Sequence, residues 1–133
     1  MHNRRAMVTR KKAVKPRVPR TRGGGTLTES GYWSFVRAGL RAKSVTWPPR
    51  FQILNNNRRT AKGKRYRYEY QCFSCTNWFK ASDIEVDHII PVGSLRCKED
   101  LPEYVERLFC EIDNLQLLCK ECHLDKTHNR GEP

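Results

Sequence analysis

Two pieces of sequence decide the fold, Glu85-Val86-Asp87-His88-Ile89-Ile90-Pro91 and Asp113-Asn114-Leu115-Gln116-Leu117-Leu118-Cys119-Lys120-Glu121-Cys122-His123. The second contains a Cys-x-x-Cys pair, and a matching pair, Cys72-Phe73-Ser74-Cys75, precedes the first. Two residues between cysteines make a tight knuckle that turns both sulfurs toward one cation, and two knuckles supply the four thiolates of a closed tetrahedral zinc site. Cys72, Cys75, Cys119 and Cys122 are the expected ligands of a structural Zn2+. Such a frame ties the chain entering Asp87-His88 to the segment carrying His123. Cys97 and Cys110 have no partner at that spacing and read as free thiols.

Working outward, Tyr66, Tyr68 and Tyr70 alternate with Arg67, Glu69 and Gln71, the two-residue period of a strand with one aromatic face. A turn at Ala81-Ser82-Asp83 then predicts a second strand from Ile84 to His88. Together they suggest a hairpin with the first thiolate knuckle at its tip. Residues 98–109 read as a helix, with Asp100 near its start, Pro102 in the first turn, and Leu101, Val105, Leu108 and Phe109 on one side. It looks like an insertion at about 98–110. Glu99, Asp100, Glu103 and Glu106 make it acidic. Residues 112–118 read as a short apolar strand or extended loop, and Cys119-x-x-Cys122 opens a final helix of about two turns.

Toward the N-terminus, Thr28 is a plausible cap for a helix to about Ala42, with Tyr32, Trp33, Val36 and Leu40 at helical spacing. Trp47-Pro48-Pro49 redirects the chain. Residues 50–58 suggest a short helix with Phe51 and Leu54 facing inward. Residues 1–25 hold many arginines and lysines and almost no large apolar side chain, so they read as a disordered basic arm ended by flexible Gly23-Gly24-Gly25. Residues 26–65 read as a helical, basic extension and 66–133 as the domain proper, giving an α+β fold.

The 133 residues include 26 Lys+Arg against 14 Asp+Glu, a formal charge of +12. That balance favours a polyanionic partner such as nucleic acid. Arg58, Arg59, Lys62, Lys64, Arg65 and Arg67 cluster around Gly63, and with Lys120 and Lys126 they are the expected phosphate contacts. No apolar run is long enough to span a bilayer and no export signal is legible, which points to a cytoplasmic protein without a membrane partner.

In the order Cys72-x-x-Cys75, Val86-Asp87-His88-Ile89-Ile90-Pro91, Asp113-Asn114, and Cys119-x-x-Cys122-His123-x-x-Lys126, the chain resembles the HNH endonuclease family over roughly residues 66–128. Its general appearance is also similar to HNH proteins encoded by bacteriophages, which would place it in the host cytoplasm. The resemblance implies a ββα-metal (His-Me finger) domain acting on DNA, with His88 as general base and Asp87 and His123 as ligands of a catalytic divalent cation (Mg2+, Mn2+ or Ni2+). Asn114 would fix the loop that holds the base. Family chemistry implies hydrolysis of phosphodiester bonds to 5′-phosphate and 3′-hydroxyl ends. Where some members carry a further histidine, one helical turn beyond His123, this chain has Thr127, with His128 one residue out of phase. The competing reading is a non-catalytic zinc-ribbon protein, a regulator or packaging accessory that binds nucleic acid. A homodimer and a phage packaging machinery are both open as partners.

Overall fold

The structure, a computed structural model, describes residues 16–129. Thr28 caps α1 (Glu29–Ser44) by accepting the Gly31 N–H at 3.0 Å. The basic last turn, Arg41 and Lys43, suits the negative end of the helix dipole. Pro48 and Pro49 occupy the first turn of α2 (Pro48–Asn56), where their missing N–H groups cost nothing. Pro49 and Ile53 are the buried residues of this helix and Leu54 packs partly buried against the core, whereas Phe51, expected inside, is exposed. An inward stripe in so short a helix is set by which residues meet the core, and the helical period alone did not distinguish Ile53 from its neighbours.

Three short strands, β1 (Arg58–Thr60), β2 (Tyr68–Gln71) and β3 (Trp78–Lys80), form an antiparallel sheet in that order. A second antiparallel pair joins β4 (Ile84–His88) to β5 (Leu115–Cys119), with Asp87 opposite Gln116 and His88 opposite Leu115. The hairpin expected between residues 66–71 and 84–88 is therefore not formed: β2 pairs with β3, and β4 pairs with β5 across the insertion. The knuckle does sit at a hairpin tip, that of β2 and β3. The alternating tyrosines identified β2, but strands of three residues such as β1 and β3 are too short to leave a period of their own.

The insertion forms a 3₁₀ turn, Lys98–Asp100, and α3 (Leu101–Leu108), and the chain closes with α4 (Lys120–Asn129), longer than the expected two turns. The residues beyond strand β5 toward Ile112 form a 3₁₀ turn rather than strand. Among the described residues this is an α+β domain of four helices and two small antiparallel sheets.

Two cores hold it together. One surrounds the cysteines and joins Ile53 of α2, Ile84 of β4, and Leu115, Leu117 and Leu118 of β5. The other joins Trp33 of α1, Val92, Leu95, and Tyr104 and Leu108 of α3. Truncating a fully buried leucine such as Leu117 to alanine costs about 2–5 kcal/mol. The N-terminal helices thus contribute to both cores alongside the motif. Trp47 reinforces the junction, donating its indole N–H to the Cys110 carbonyl at 2.6 Å and meeting Phe109 edge-on.

The basic arm falls mostly outside the described residues. Its end, expected to be flexible, is a turn: Gly23, Gly24 and Gly25 all have positive φ, which lets Arg22 bond back to Leu27. Arg22 then pairs with Glu29 at 2.9 Å and lies over the Tyr32 ring. Among the described residues, no helix is long and apolar enough to cross a membrane.

Candidate functional site

The four sulfurs of Cys72, Cys75, Cys119 and Cys122 lie within 4.8 Å of one another. Cys72 and Cys75 bracket the β2–β3 turn, closed by the Thr76 N–H on the Cys72 carbonyl and the Cys72 N–H on the Asn77 carbonyl, each 3.0 Å. Cys119 ends β5 and Cys122 lies in the first turn of α4, so the second knuckle is a strand-to-helix corner. Backbone N–H groups point at sulfur, from Cys119 to Cys72 and from Cys122 to Cys119, both 3.4 Å. Burial works against a thiolate at Cys72, but N–H donors from Cys119, Cys75 and Ser74 outweigh it and bring its pKa down to about 6. Cys122 is pushed up to about 12, first by its hydrogen bond to the Cys119 sulfur and then by burial. Four clustered sulfurs cannot all ionise without a cation among them. This set can hold a structural zinc ion, whose roughly 2.3 Å bonds suit sulfurs at this separation.

The remaining candidates meet at the edge of β4. Strand parity puts Glu85 and Asp87 on the face crossed by α4, and Val86 and His88 on the other. Asp87 is only 5% exposed. Its Oδ2 accepts from Gln116 Nε2 at 3.0 Å and from the Lys126 ammonium, while Oδ1 faces His123 Nε2 at 3.4 Å. Burial disfavours the charge, yet Gln116, Lys126 and His123 together hold the Asp87 carboxyl below its ordinary value. His123 Nδ1 lies 2.8 Å from Glu85 Oε2. The His123 ring thus stands between two carboxylates, Glu85 on its Nδ1 side and Asp87 on its Nε2 side.

His88 is fixed differently. Its Nε2 lies 3.1 Å from the carbonyl of Leu108, at the end of α3. A carbonyl only accepts, so Nε2 donates and Nδ1 is left as the basic nitrogen. Burial lowers the His88 pKa, and the nearby Arg50 and Arg41 charges push the same way against the Leu108 bond and Asp87. The imidazole is accordingly neutral at pH 7.

Asn114 clamps the segment that follows His88. Its carbonyl accepts from the Ile89 N–H at 2.8 Å, its side-chain oxygen accepts from the Ile90 N–H at 2.9 Å, and its Nδ2 donates to the Ile90 carbonyl at 3.3 Å. A cleft of about 440 Å³ brings together Asp87, His88, His123 and Thr127 with Arg41 of α1 and Arg50 of α2. No family model, no curated protein and no solved structure matches the chain.

The basic candidates divide. Arg58 and Arg59 stand on β1, and Lys62, Lys64, Arg65 and Arg67 in the loop to β2. Arg58 lies 3.9 Å and Arg67 5.2 Å from the Tyr68 ring centroid, and Arg59 sits over Trp78 while pairing with Glu69. Lys62, Lys64 and Arg65 are exposed. Lys120 is exposed, 3.9 Å from Asp83. The Lys126 ammonium contacts Asp87 and the carbonyls of His88, at 2.6 Å, and Ile89, at 3.3 Å. Its place one turn from His123 on α4 turns it into the strand rather than toward solvent. Thr127 Oγ1 donates to the His123 carbonyl at 2.9 Å.

Sequence reading missed Glu85, Gln116, Arg41, Arg50 and the Leu108 carbonyl. Glu85 had a usable signal, since it lies two residues before Asp87 and so on the same strand face. Gln116 becomes visible only once β4 and β5 are in register. Arg41 and Arg50 come from helices outside the motif.

Proposed function

We propose that this protein is a metal-dependent DNA endonuclease of the HNH type, and that β4, β5 and α4 are its ββα-metal unit with Zn2+ on the four cysteines. The observation carrying the proposal is that one cleft gathers Asp87 with two histidines held in different ways. His123 lies with Nδ1 beside Glu85 Oε2 and Nε2 beside Asp87 Oδ1. His88, held by the Leu108 carbonyl, offers Nδ1 as a base. A nucleic-acid-binding zinc ribbon has no use for either arrangement.

Two ligands for a second cation stand side by side in the cleft. Asp87 Oδ1 and His123 Nε2 are 3.4 Å apart, a separation suited to neighbouring ligands at about 2.0–2.1 Å from one Mg2+-sized ion. Bound there, a divalent cation such as Mg2+, Mn2+ or Ni2+ supplies charge stabilisation to the phosphate and the departing 3′ oxygen. Lys126 and Gln116 occupy Asp87 Oδ2 and leave Oδ1 as the free oxygen. His88 Nδ1 takes a proton from water as the water oxygen bonds to phosphorus and the P–O3′ bond breaks. The 3′ oxygen takes a proton from solvent, leaving 5′-phosphate and 3′-hydroxyl ends. Asn114 and Leu108 act as positioning groups, holding the chain after His88 and the ring itself. The exposed cations on the β1–β2 hairpin bind DNA phosphates without reading sequence.

The test is calorimetric titration of Mn2+ into zinc-loaded protein, paired with supercoiled plasmid in Mg2+, Mn2+ or Ni2+. The proposal expects a Mn2+ site lost in Asp87→Ala and His123→Ala, together with nicked or linear plasmid. A folded sample that binds no second metal and leaves plasmid intact in all three metals overturns it in favour of the zinc-ribbon reading.

A further inference from the structure

We propose that Arg41 and Arg50 form an anion seat in the cleft beside His88, and that its occupant is a phosphate group of the bound DNA strand. The inference rests on the nuclease reading for its occupant but on separate residues, contributed by α1 and α2.

Many exposed cations lack a carboxylate partner, but among the described residues Arg50 is the one lysine or arginine that is both partly buried and unpaired. Arg22, Arg59, Arg107, Lys120 and Lys126 each have a carboxylate within ion-pair reach. Arg50 is half-buried in the first turn of α2 and lines the catalytic cleft, and no carboxylate among the described residues pairs with it. Glu85, which shares an adjoining hollow with Arg50 and Tyr70, is already taken by His123. A guanidinium withdrawn from water without a counter-charge is costly, and an arriving anion removes that cost. Its planar fork suits two phosphate oxygens at once.

Arg41 complements it. Its Nε donates to Tyr104 Oη at 3.0 Å, and Tyr104 is only 1% exposed in the core below. The phenol orients the guanidinium without neutralising it and leaves its terminal N–H groups uncommitted to Tyr104. The acidic insertion thereby gains a purpose: α3 supplies the Tyr104 hydroxyl to Arg41 and the Leu108 carbonyl to His88, so it aligns cation and base from one rigid element. The one carboxylate lining this cleft is Asp87, already balanced by Lys126, so the two arginines leave the cleft positive. Phosphodiester and free phosphate share the recognising chemistry, and the experiment separates them.

The full zinc-loaded chain carrying His88→Ala, so that substrate survives, is titrated with a short DNA duplex and separately with inorganic phosphate. Binding is followed by anisotropy of labelled duplex and by NMR of the arginine side-chain N–H signals. The second-site changes are Arg50→Gln, Arg50→Lys and Arg41→Gln, with Arg37→Gln as a control on exposed α1 surface. Arg50→Gln is expected to weaken duplex binding about 10-fold, Arg50→Lys to restore part of it, and Arg41→Gln to weaken it less. Arg37→Gln should stay within about 2-fold. Matched melting curves establish that each variant is folded. Duplex affinity unchanged in Arg50→Gln and Arg41→Gln overturns the seat. Phosphate-dependent shifts of the Arg50 signal with unchanged duplex affinity overturn the strand phosphate as occupant. Arginine-dependent duplex binding by a chain whose parent cleaves no DNA keeps the seat and removes the nuclease reading.

Discussion

The cysteine frame and the cleft are built from touching elements, yet they are specified in opposite ways. The frame is closed: its four ligands come in two local knuckles, and their identity nearly dictates their geometry. The cleft is open and assembled from a distance. Asp87 and His88 come from β4, Gln116 from β5, His123 from α4, the Leu108 carbonyl from α3, and Arg41 and Arg50 from α1 and α2. A closed site spends its chemistry on holding the fold, and an open one depends on that fold for its geometry. Damage to the frame should therefore remove both fold and function, and damage to the cleft should remove function alone.

The largest effect follows from Cys119→Ser. Structural zinc on thiolates is worth about 10–16 kcal/mol, comparable to or above the whole stability of a small domain. The variant is expected to lose bound zinc and its cooperative melting transition, measured by metal analysis and calorimetry. One zinc per chain with an unchanged Tm would make the frame ornamental. Asn114→Ala comes next and bridges the two regions, because it removes two side-chain bonds to Ile90 beside the base. A loss of about 1–3 kcal/mol is expected in denaturant unfolding, with cleavage falling beyond what the unfolded fraction explains.

Glu85→Gln bears on the cleft alone. It removes the charge 2.8 Å from His123 Nδ1, so Mn2+ affinity should fall about 10- to 100-fold in calorimetry while zinc content stays constant. Unchanged Mn2+ binding would mean that Glu85 does not orient the ligand. The smallest effect is expected from Lys64→Ala on the exposed hairpin loop. DNA affinity should drop a few-fold, with the salt slope of log Kd reduced by about one and the cleavage rate of bound DNA unchanged.

The same contrast explains what could be read from the amino-acid order. The four-cysteine cluster, β4, and α1 with its Thr28 cap were legible because each rests on local spacing or on a strand and helix period. The pairing of β2 was not, since the tyrosine alternation identifies a strand but carries no information on its neighbour. Phe51 was expected inside and is exposed, because a nine-residue helix presents too little surface for its stripe to choose a face. The contact of Lys126 with Asp87 was not legible, because its reach along α4 to the strand is a tertiary fact. Arg41 and Arg50 were hidden most deeply: an arginine in a basic chain carries no mark until packing denies it a carboxylate.

Cleavage of end-labelled duplex DNA by the zinc-loaded parent and by His88→Ala, side by side in Mg2+, Mn2+ and Ni2+, tests the central claim most directly. The account predicts 5′-phosphate and 3′-hydroxyl ends from the parent and a rate about 10²- to 10⁴-fold lower from His88→Ala, with equal zinc content and Tm. A variant that cuts as fast as the parent would contradict His88 as the base.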